Sequence, residues 1–425
     1  MIKKYIFFIF ITIFITCQNT YETKELLVVE NNVEPIFTYN CNEWLGSNNY
    51  KGCLEGSKIN LVSKLNEKLN NIVLFNDEIY LLQSDGIIFK NSEENIFLDV
   101  SLKVKSLPGK NTSEVGLYGL SFHPKENYFL VTYSNQNNEL VVEKYFIDKD
   151  GLPLLNNSKI IFKQLNNWCC HFAGTIIWSD FFQDFLLPIG DMAEDAILTR
   201  EPVNTTSNRG KVLFLNKEFS NPDLISYTSD SEKKNNILAY GLRNPWKISE
   251  YKNFLFIPDV GMVNQEELNL VDLNDFNNKS NKPFLFGWPY YEADIFEPIE
   301  NLEYSDPALW IDNKKENLEE YVIENSISPS IYYFHDSPLV YRAGIIGGDV
   351  IKSKDSEYYE YYIFADFLSR ELFAYDYKKN SLFSIPLSQN FNSQITSLVE
   401  DPNALDSVLI GTINGELFQV DLPNF

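Results

Sequence analysis

Three histidines are the side chains of this sequence best suited to proton transfer, because an unperturbed imidazole titrates near neutral pH. They stand at positions His123, His171 and His335, in a chain that also carries 59 aspartates and glutamates. Carboxylates and backbone carbonyls are the oxygen ligands that calcium prefers. The sequence contains neither a CxxC pair nor a cysteine–histidine cluster with zinc spacing. These residue types favour general base chemistry and calcium binding over a zinc site.

Each histidine also has a purely structural interpretation. His123 lies in a Phe-His-Pro turn, and we predict a structural role for it. His335 could line a pocket, but its neighbour Asp336 favours a turn histidine. His171 follows Cys169 and Cys170, so it is either a base or a buried, hydrogen-bonded histidine beside a disulfide.

The other four cysteines besides Cys17 form an even set, which allows three disulfide pairings. The most economical pairing joins Cys41 to Cys53 and Cys169 to Cys170. A linkage of the first two cysteines to the last two is equally compatible with the sequence.

The composition of the 425-residue chain excludes several classes of partner. The formal net charge is −24, with 44% hydrophobic and 22% charged residues. This composition provides enough apolar material for a packed core. The negative charge repels phosphate groups, so nucleic acid and anionic lipid surfaces are not expected partners.

The first 17 residues predict a signal peptide. Lys3 and Lys4 precede an apolar stretch, residues 5–15, that is too short to span a bilayer. The stretch ends in a sequence that resembles a bacterial lipoprotein cleavage site, where Cys17 would carry the lipid anchor to the membrane. We expect an exported protein, either periplasmic or anchored as a lipoprotein.

The elements that must position these residues are short strands. From about residue 70, β-branched and aromatic runs alternate with Asn, Asp, Gly and Ser. Residues 369–376 and 414–421 share the pattern x-x-Glu-Leu-Phe-x-x-Asp at a spacing of 45 positions, which is typical of a four-stranded propeller blade. The pattern predicts an all-β, six-bladed β-propeller over residues 61–425, preceded by an N-terminal segment at 18–60. Residues 274–328 interrupt the strand rhythm and predict a long inter-blade insertion with a loosely helical part.

An ordered set of motifs resembles the glucose/sorbosone dehydrogenase family, whose propellers bind pyrroloquinoline quinone and calcium and oxidise aldose sugars. The family also includes propellers related to hedgehog-interacting proteins. The principal motifs are GLYGLSFHP at 116–124, YGLRNPW at 240–246 and FGWPYYE at 286–292; shorter ones lie at 171–174, 189–191, 209–212, 258–261, 266–267, 347–350 and 364–366. The resemblance covers roughly residues 70–421.

The resemblance implies hydride transfer from the anomeric carbon of a sugar to the quinone while a base takes the hydroxyl proton. It assigns the base to His171, an orienting carboxylate to Asp191, and a cation facing the quinone to Arg243. The alternative for Asp191 is a turn residue after Gly190, and Arg243 could instead tie blades together.

The same resemblance implies the ligands of the cofactor and the metal. Glu114, Arg243, Asn244 and Lys352 stand where the family contacts the cofactor. For calcium, it implies the backbone carbonyls of Gly261 and Met262, with Glu267 at a nearby structural calcium. The alternative for Glu267 is a solvated acid at the start of a strand.

Two motifs depart from the family pattern. The histidine motif reads His-Phe-Ala-Gly instead of His-x-Gly-Gly, which adds Phe172 and Ala173 near the expected pocket. The Arg-x-Arg-Asp run that holds the tricarboxylate cofactor is replaced by residues 393–397, Ser-Gln-Ile-Thr-Ser. At about 1.5–3 kcal/mol per charge-assisted hydrogen bond, this loss weakens cofactor binding by several kcal/mol.

We therefore predict an exported quinoprotein oxidoreductase that oxidises an aldose, with the electron acceptor and the oligomeric state left open. The competing hypothesis is a non-enzymatic, calcium-stabilised propeller that binds carbohydrate or protein at the cell surface. A third hypothesis is a calcium propeller that hydrolyses lactones with acidic ligands at its central channel.

Overall fold

The computed structural model describes residues 47, 49–105, 114–168, 170–192, 200–218, 236–296, 309–311, 314–336, 340–352, 360–387 and 391–423. Within them the strands are β1 Tyr50–Cys53, β2 Lys58–Lys64, β3 Leu69–Phe75, β4 Glu78–Gln83, β5 Ile87–Lys90, β6 Ile96–Asp99, β7 Leu117–Phe122, β8 Tyr128–Ser134, β9 Glu139–Ile147, β10 Pro153–Leu165, β11 Ile177–Ser179, β12 Asp184–Ile189, β13 Lys211–Phe214, β14 Ile237–Tyr240, β15 Ser249–Tyr251, β16 Phe254–Asp259, β17 Gln265–Asp272, β18 Phe284–Leu285, β19 Tyr291–Glu292, β20 Ile295–Phe296, β21 Leu309–Ile311, β22 Lys314–Glu316, β23 Ile331–Phe334, β24 Ile345–Lys352, β25 Glu360–Asp366, β26 Leu372–Asp376, β27 Ser381–Ile385, β28 Ile395–Glu400, β29 Ser407–Thr412 and β30 Glu416–Asp421. The helices are α1 Leu273–Asn278, α2 Leu318–Asn325 and a 3₁₀ turn at Glu201–Val203.

The strands form six antiparallel blades, which confirms the predicted six-bladed β-propeller. From the inner to the outer strand the blades are β3-β4-β5-β6, β7-β8-β9-β10, β11-β12-β13-β14, β15-β16-β17-β23, β24-β25-β26-β27 and β28-β29-β30-β2. The two copies of the predicted repeat fall on β26 and β30, each the third strand of its blade.

Tight hairpins connect consecutive strands of a blade. Between β3 and β4 the turn consists of Asn76 and Asp77, with φ values of 51° and 62°. Asn and Asp tolerate this left-handed conformation, and a two-residue turn of this kind matches the right-handed twist of the strands it joins. The Asn- and Asp-rich breaks in the sequence are therefore the turns that set the strand register.

The N-terminal part of the described chain closes the ring. Strand β2 pairs antiparallel with β30 and completes the sixth blade as its outermost strand, while β1 adds to β27 in the fifth blade. The N-terminal segment predicted for residues 18–60 therefore ends in a closing strand, and its residues up to 46 lie outside the described residues. No helix within the described ranges is long and apolar enough to cross a membrane.

The predicted insertion lies within a blade, not between two blades. Residues 274–328 follow β17 and precede β23, the third and fourth strands of the fourth blade. Their strand β18 pairs in parallel with β14 and extends the third blade. The predicted helical part is α2, which Asn317 caps by accepting the N–H groups of Glu319 and Glu320.

Apolar side chains from neighbouring blades pack against each other around the axis. One such cluster joins the first two blades through Tyr80, Phe97, Phe122 and Phe129, whose rings are 5.0–5.9 Å apart. Burial of large aromatic rings supplies much of the stability of such an interface. We call the face where the inner strands begin the upper face and the face where they end the lower face.

Candidate active site

A histidine–aspartate pair lies at the upper face of the third blade. His171 precedes β11 and Asp191 follows β12, so the antiparallel hairpin brings both to the same end. The Nδ1 atom of His171 lies 2.6 Å from Oδ1 of Asp191. Asp191 is 1% exposed, whereas the side chain of His171 keeps 16% of its surface. Because Nδ1 faces the carboxylate, Nε2 is the nitrogen that can accept a proton from a ligand.

The backbone at His171 adopts a conformation that L-residues rarely take. Its φ is 59°, and its N–H donates a 2.6 Å hydrogen bond to Oε2 of Glu114. Gly190 packs so closely that a Cβ there would lie 2.1 Å from the carbonyl oxygen of His171. A glycine at 190 and a carboxylate at 114 are therefore needed to hold the imidazole in place.

Arg243 and Asn244 lie next to this pair and are held by a buried carboxylate at the end of β16. Asp259 accepts the backbone N–H of Arg243 at 2.8 Å and that of Asn244 at 2.6 Å. Burial raises the pKa of Asp259 to about 7, although these two hydrogen bonds lower it. The N–H of Asp191 donates to the carbonyl of Arg243 at 2.7 Å, and Nδ2 of Asn244 donates to Oε1 of Glu114 at 3.3 Å. The structure thus brings four of the predicted site residues together around His171.

Trp288 connects the carboxylate to the arginine. Its Nε1 donates to Oδ2 of Asp191 at 3.0 Å, and the Cζ atom of Arg243 lies 5.7 Å from its ring centroid. The same guanidinium donates through Nη1 to the carbonyls of Val260 at 3.0 Å and Gly261 at 2.7 Å. Both ring and carbonyls favour a fixed cation at this position.

The predicted calcium ligands Gly261 and Met262 lie in the loop after β16. Glu292 Oε1 accepts the N–H groups of residues 262–264 at 2.7–2.9 Å. Burial alone would raise the pKa of Glu292, but these donors hold it below its usual value. Since the Gly261 carbonyl already binds the guanidinium of Arg243, a calcium ion on that carbonyl would face a cation.

Glu267 lies beside the same loop, around a cavity of about 10 Å³ that Asp259 and Glu292 also line. Burial raises the pKa of Glu267 well above its usual value, and neighbouring Asp259 raises it further. Asn269 donates to its Oε1 at 3.0 Å. Within the described ranges, no three Asp, Glu, His or Cys side chains are grouped so that they could hold one metal ion. The structure therefore shows an acidic cavity with room for about one water molecule.

The family model for glucose/sorbosone dehydrogenases matches residues 92–340. This span covers more than half of the chain and includes both residues of the histidine–aspartate pair. The chain belongs to the glucose/sorbosone dehydrogenase family. The glucose/sorbosone dehydrogenases are sugar oxidoreductases.

Solved structures with the same propeller fold include proteins named as sugar dehydrogenases. The soluble aldose sugar dehydrogenase of Escherichia coli, in its apo form, is 14% identical with a TM-score of 0.60, covering 87% of this chain and 100% of its own. A putative oxidoreductase (glucose dehydrogenase) of Thermus thermophilus is 14% identical with a TM-score of 0.58, covering 86% and 100%. At this identity the likeness concerns the fold. No curated protein matches the chain.

The structure does not bring Lys352 into the site of this family member. Lys352 ends β24 at the lower face and pairs with Glu360, whereas Ile345 begins the strand at the upper face and pairs with Asp366. The predicted contact between Lys352 and a cofactor at His171 is therefore not supported, because the eight residues of an extended strand separate the two faces. The half-buried Lys68, before β3, lies at the upper face near Glu114, and burial lowers its pKa to about 8.

The stretch that replaces the family's arginine run makes contacts within the fold. The hydroxyl of Thr396 donates to the carbonyl of Leu69, and that of Ser397 donates to Oδ1 of Asn71 at 2.9 Å. These bonds join the sixth blade to the first. The polar residues of 393–397 thus stabilise the closure of the ring.

Phe172, which the sequence places near the pocket, packs into the core. It is completely buried and stacks on Tyr118 with ring centroids 5.5 Å apart. His123 accepts the N–H groups of Lys125 and Glu126 through Nδ1, which confirms its structural role in a turn.

His335 is also structural. It is buried, and its Nε2 lies 2.7 Å from Oε1 of Glu266, whose carboxylate also accepts the N–H groups of Gly344 and Ile345. The prediction of a turn histidine beside Asp336 missed Glu266 as the partner, because that residue comes from β17, far away in sequence.

The structure shows that one of the predicted disulfide pairings is wrong. The sulfur of Cys170 is a thiol, so the adjacent pair Cys169–Cys170 is not bridged. Cys53 is disulfide-bonded, and its partner lies outside the described residues. His171 therefore has no vicinal disulfide ring beside it.

Sequence reasoning missed three residues that position the site: Asp259, Trp288 and Glu292. Each lies inside a family-like motif, 258–261 or 286–292, but the motif alone does not indicate which partner the side chain reaches. The signal that the sequence offered for these residues was the presence of acidic residues and a tryptophan close to glycines in the two motifs.

Proposed function

We propose that this protein oxidises an aldose at its anomeric carbon, with His171 as the base. The observation that carries the proposal is the 2.6 Å contact between His171 and Asp191 beside the fixed guanidinium of Arg243. A partly exposed imidazole held by a buried carboxylate is suited to accept a proton from a sugar hydroxyl. Family membership supports the substrate class.

In this reaction Nε2 of His171 takes the proton of the anomeric hydroxyl. The C–H bond of the same carbon breaks with its electron pair, and the sugar leaves as a lactone. Pyrroloquinoline quinone, when bound, would accept that hydride. Asp191 stabilises the imidazolium that forms, and the indole N–H of Trp288 keeps the second oxygen of Asp191 in place.

The residues present fit the reactive end of this quinone. Arg243 offers a fixed cation, and the buried Oδ1 of Asn244, which has no hydrogen-bond partner within the described ranges, offers an acceptor. Glu114 holds Asn244 and the backbone of His171 instead of presenting a free carboxylate. These three residues would therefore hold or orient the cofactor next to the base.

A second candidate function is a binding propeller without a cofactor. The replacement of the arginine run by hydroxyl side chains that bond to Leu69 and Asn71 favours it, because a trianionic cofactor is normally held by guanidinium groups. In that case the upper face would recognise a carbohydrate or a protein.

The test is reconstitution of the purified protein with pyrroloquinoline quinone and calcium, followed by dye reduction with a panel of aldoses. The proposal expects turnover that His171→Ala abolishes and His123→Ala, the matched turn histidine, preserves. Absence of both turnover and a spectral shift of the quinone would reject the oxidoreductase. Carbohydrate binding without either signal would establish the second candidate.

We also propose that the chain is exported and carries a lipid on Cys17. The disulfide at Cys53 supports an oxidising compartment, where such bonds persist. Cell fractionation together with labelling by a radioactive fatty acid tests this, because Cys17→Ser should remove the label and release the protein from the membrane. Label that survives the substitution would contradict the anchor.

A further inference from the structure

The lower face opens into a second cavity, on the propeller axis and away from His171. Its volume is about 390 Å³, which is in the range of small-molecule sites. The walls come from the inner strands of all six blades and include apolar and aromatic side chains. Those side chains include Ile72, Phe75, Leu120, Phe122, Trp178 and Val399.

Lys247 closes the inner end of this cavity. It crosses from the fourth blade and donates to Oδ1 of Asn71 at 3.1 Å, the carbonyl of Ile72 at 3.2 Å and Oγ of Ser397 at 2.9 Å. An ammonium group has three protons, so these contacts use all of its donors. Lys247 therefore contributes charge to the cavity but no spare donor.

Two pairs of acidic residues lie at this end of the propeller. Asp180 of the third blade interacts with Glu250 of the fourth, and Asp349 of the fifth interacts with Glu400 of the sixth. Three of them, Asp180, Glu250 and Asp349, line the cavity. Burial raises the pKa values of Glu250 and Asp349, and the neighbouring acid adds to the effect for Glu250. Carboxylates in this situation are stabilised by a cation.

Hydrogen bonds leave acceptor capacity on these carboxylates. Glu250 accepts the Ser179 hydroxyl and the N–H of Phe181, and Asp349 accepts the N–H of Glu400 through Oδ2 at 3.1 Å. Each carboxylate has about four acceptor positions, so lone pairs remain for a ligand.

The charges of these residues and their lysine neighbours do not balance. Lys247 interacts with Asp349, and Lys352 interacts with Glu400, so within this group of six residues two positive charges stand against four negative ones. A ligand with two positive charges would neutralise the remainder.

A hydroxyl on the cavity wall is also available to a ligand. Ser121 lines the cavity, is 7% exposed, and its hydroxyl makes no hydrogen bond within the described part of the chain. This hydroxyl can donate to or accept from a bound ligand.

The arrangement distinguishes between kinds of cation. No three acidic side chains among the described residues are close enough to share one metal ion, because the two pairs lie on different blades. The cavity wall exposes somewhat more apolar than polar surface. We propose that this lower cavity binds a linear aliphatic diamine or polyamine, whose methylene chain covers the apolar wall and whose ammonium groups each reach one acidic pair.

The test is calorimetric titration of the full chain with 1,4-diaminobutane at low ionic strength, with 1,4-butanediol as the neutral control. We expect one diamine per chain and no heat from the diol. Asp180→Asn and Asp349→Asn should each weaken binding about tenfold or more, since each removes one end of the site. Asp150→Asn, an exposed acid in the β9–β10 turn, should bind as the wild type does.

Ser121→Leu keeps every charge and narrows the cavity, so it should also weaken binding while the thermal midpoint confirms folding. Equal binding of the diol, unchanged binding in both acid variants, or unchanged binding in Ser121→Leu would each overturn the proposal. Displacement of the diamine by an equimolar amount of calcium chloride would overturn it in favour of a metal site.

Discussion

Replacing Lys247 by methionine should remove a pH-dependent contribution to stability. Burial lowers the pKa of Lys247 from 10.5 to about 8, although Asp349 acts in the opposite direction. In the unfolded chain the lysine returns to its ordinary pKa. Between pH 8 and pH 10.5 the unfolded state therefore binds more protons than the folded state, so the free energy of unfolding rises with pH through this group.

The size of this contribution follows from the two pKa values. At about 1.36 kcal/mol per pH unit, the full window corresponds to about 3 kcal/mol. Methionine has a similar length and leaves Asn71 Oδ1 with the N–H of Ile72 and the hydroxyl of Ser397 as donors. The stability of Lys247→Met relative to the wild type should thus fall by about 3 kcal/mol as the pH rises from about 8 to 10.5.

Urea unfolding followed by tryptophan fluorescence at about pH 7.5, 8.5, 9.5 and 10.5 measures this difference. The comparison between variant and wild type cancels the contributions of Lys68 and the buried tyrosines, which titrate in both proteins. Lys352→Met, which removes an exposed lysine at the same lower face, is the control and should follow the wild type. A constant difference between Lys247→Met and the wild type across the window would refute the reasoning.

Three further predictions concern the upper face. Trp288→Phe keeps a ring beside Arg243 but removes the donor to Asp191, so kcat for aldose oxidation should fall by about 10-fold or more at unchanged KM, as measured by dye reduction; a kcat within about twofold of the wild type would contradict it. Glu114→Gln removes a charge-assisted hydrogen bond to the N–H of His171 and should lower thermal stability and kcat together, and a change in neither would show that Glu114 does not hold the base. Asp366 has a pKa that burial raises to about 7, so it favours the folded state most at low pH and this contribution is lost as the pH rises from about 4 to 7; Asp366→Asn should flatten that decline in urea titrations, and an unchanged slope would contradict it.

Much of the fold could be predicted because its signals are local. The short strands, the Asn- and Asp-containing turns and the repeat at 369–376 and 414–421 depend on neighbours within one hairpin. The pairing of His171 with Asp191 could also be expected, since one hairpin and the family-like motifs bring them together. In these cases the sequence by itself determined which elements form and which residues they carry to the upper face.

Other features depended on contacts between distant parts of the chain. Lys352 and Arg243 look equally suitable as cofactor ligands in sequence, but strand direction places Lys352 on the opposite face. Trp288 reaches Asp191 across 97 residues, and Lys247 reaches Asn71 across 176. Only the tertiary structure decided these pairings, because closing a ring of six blades joins the ends of strands whose separation along the chain leaves no local pattern.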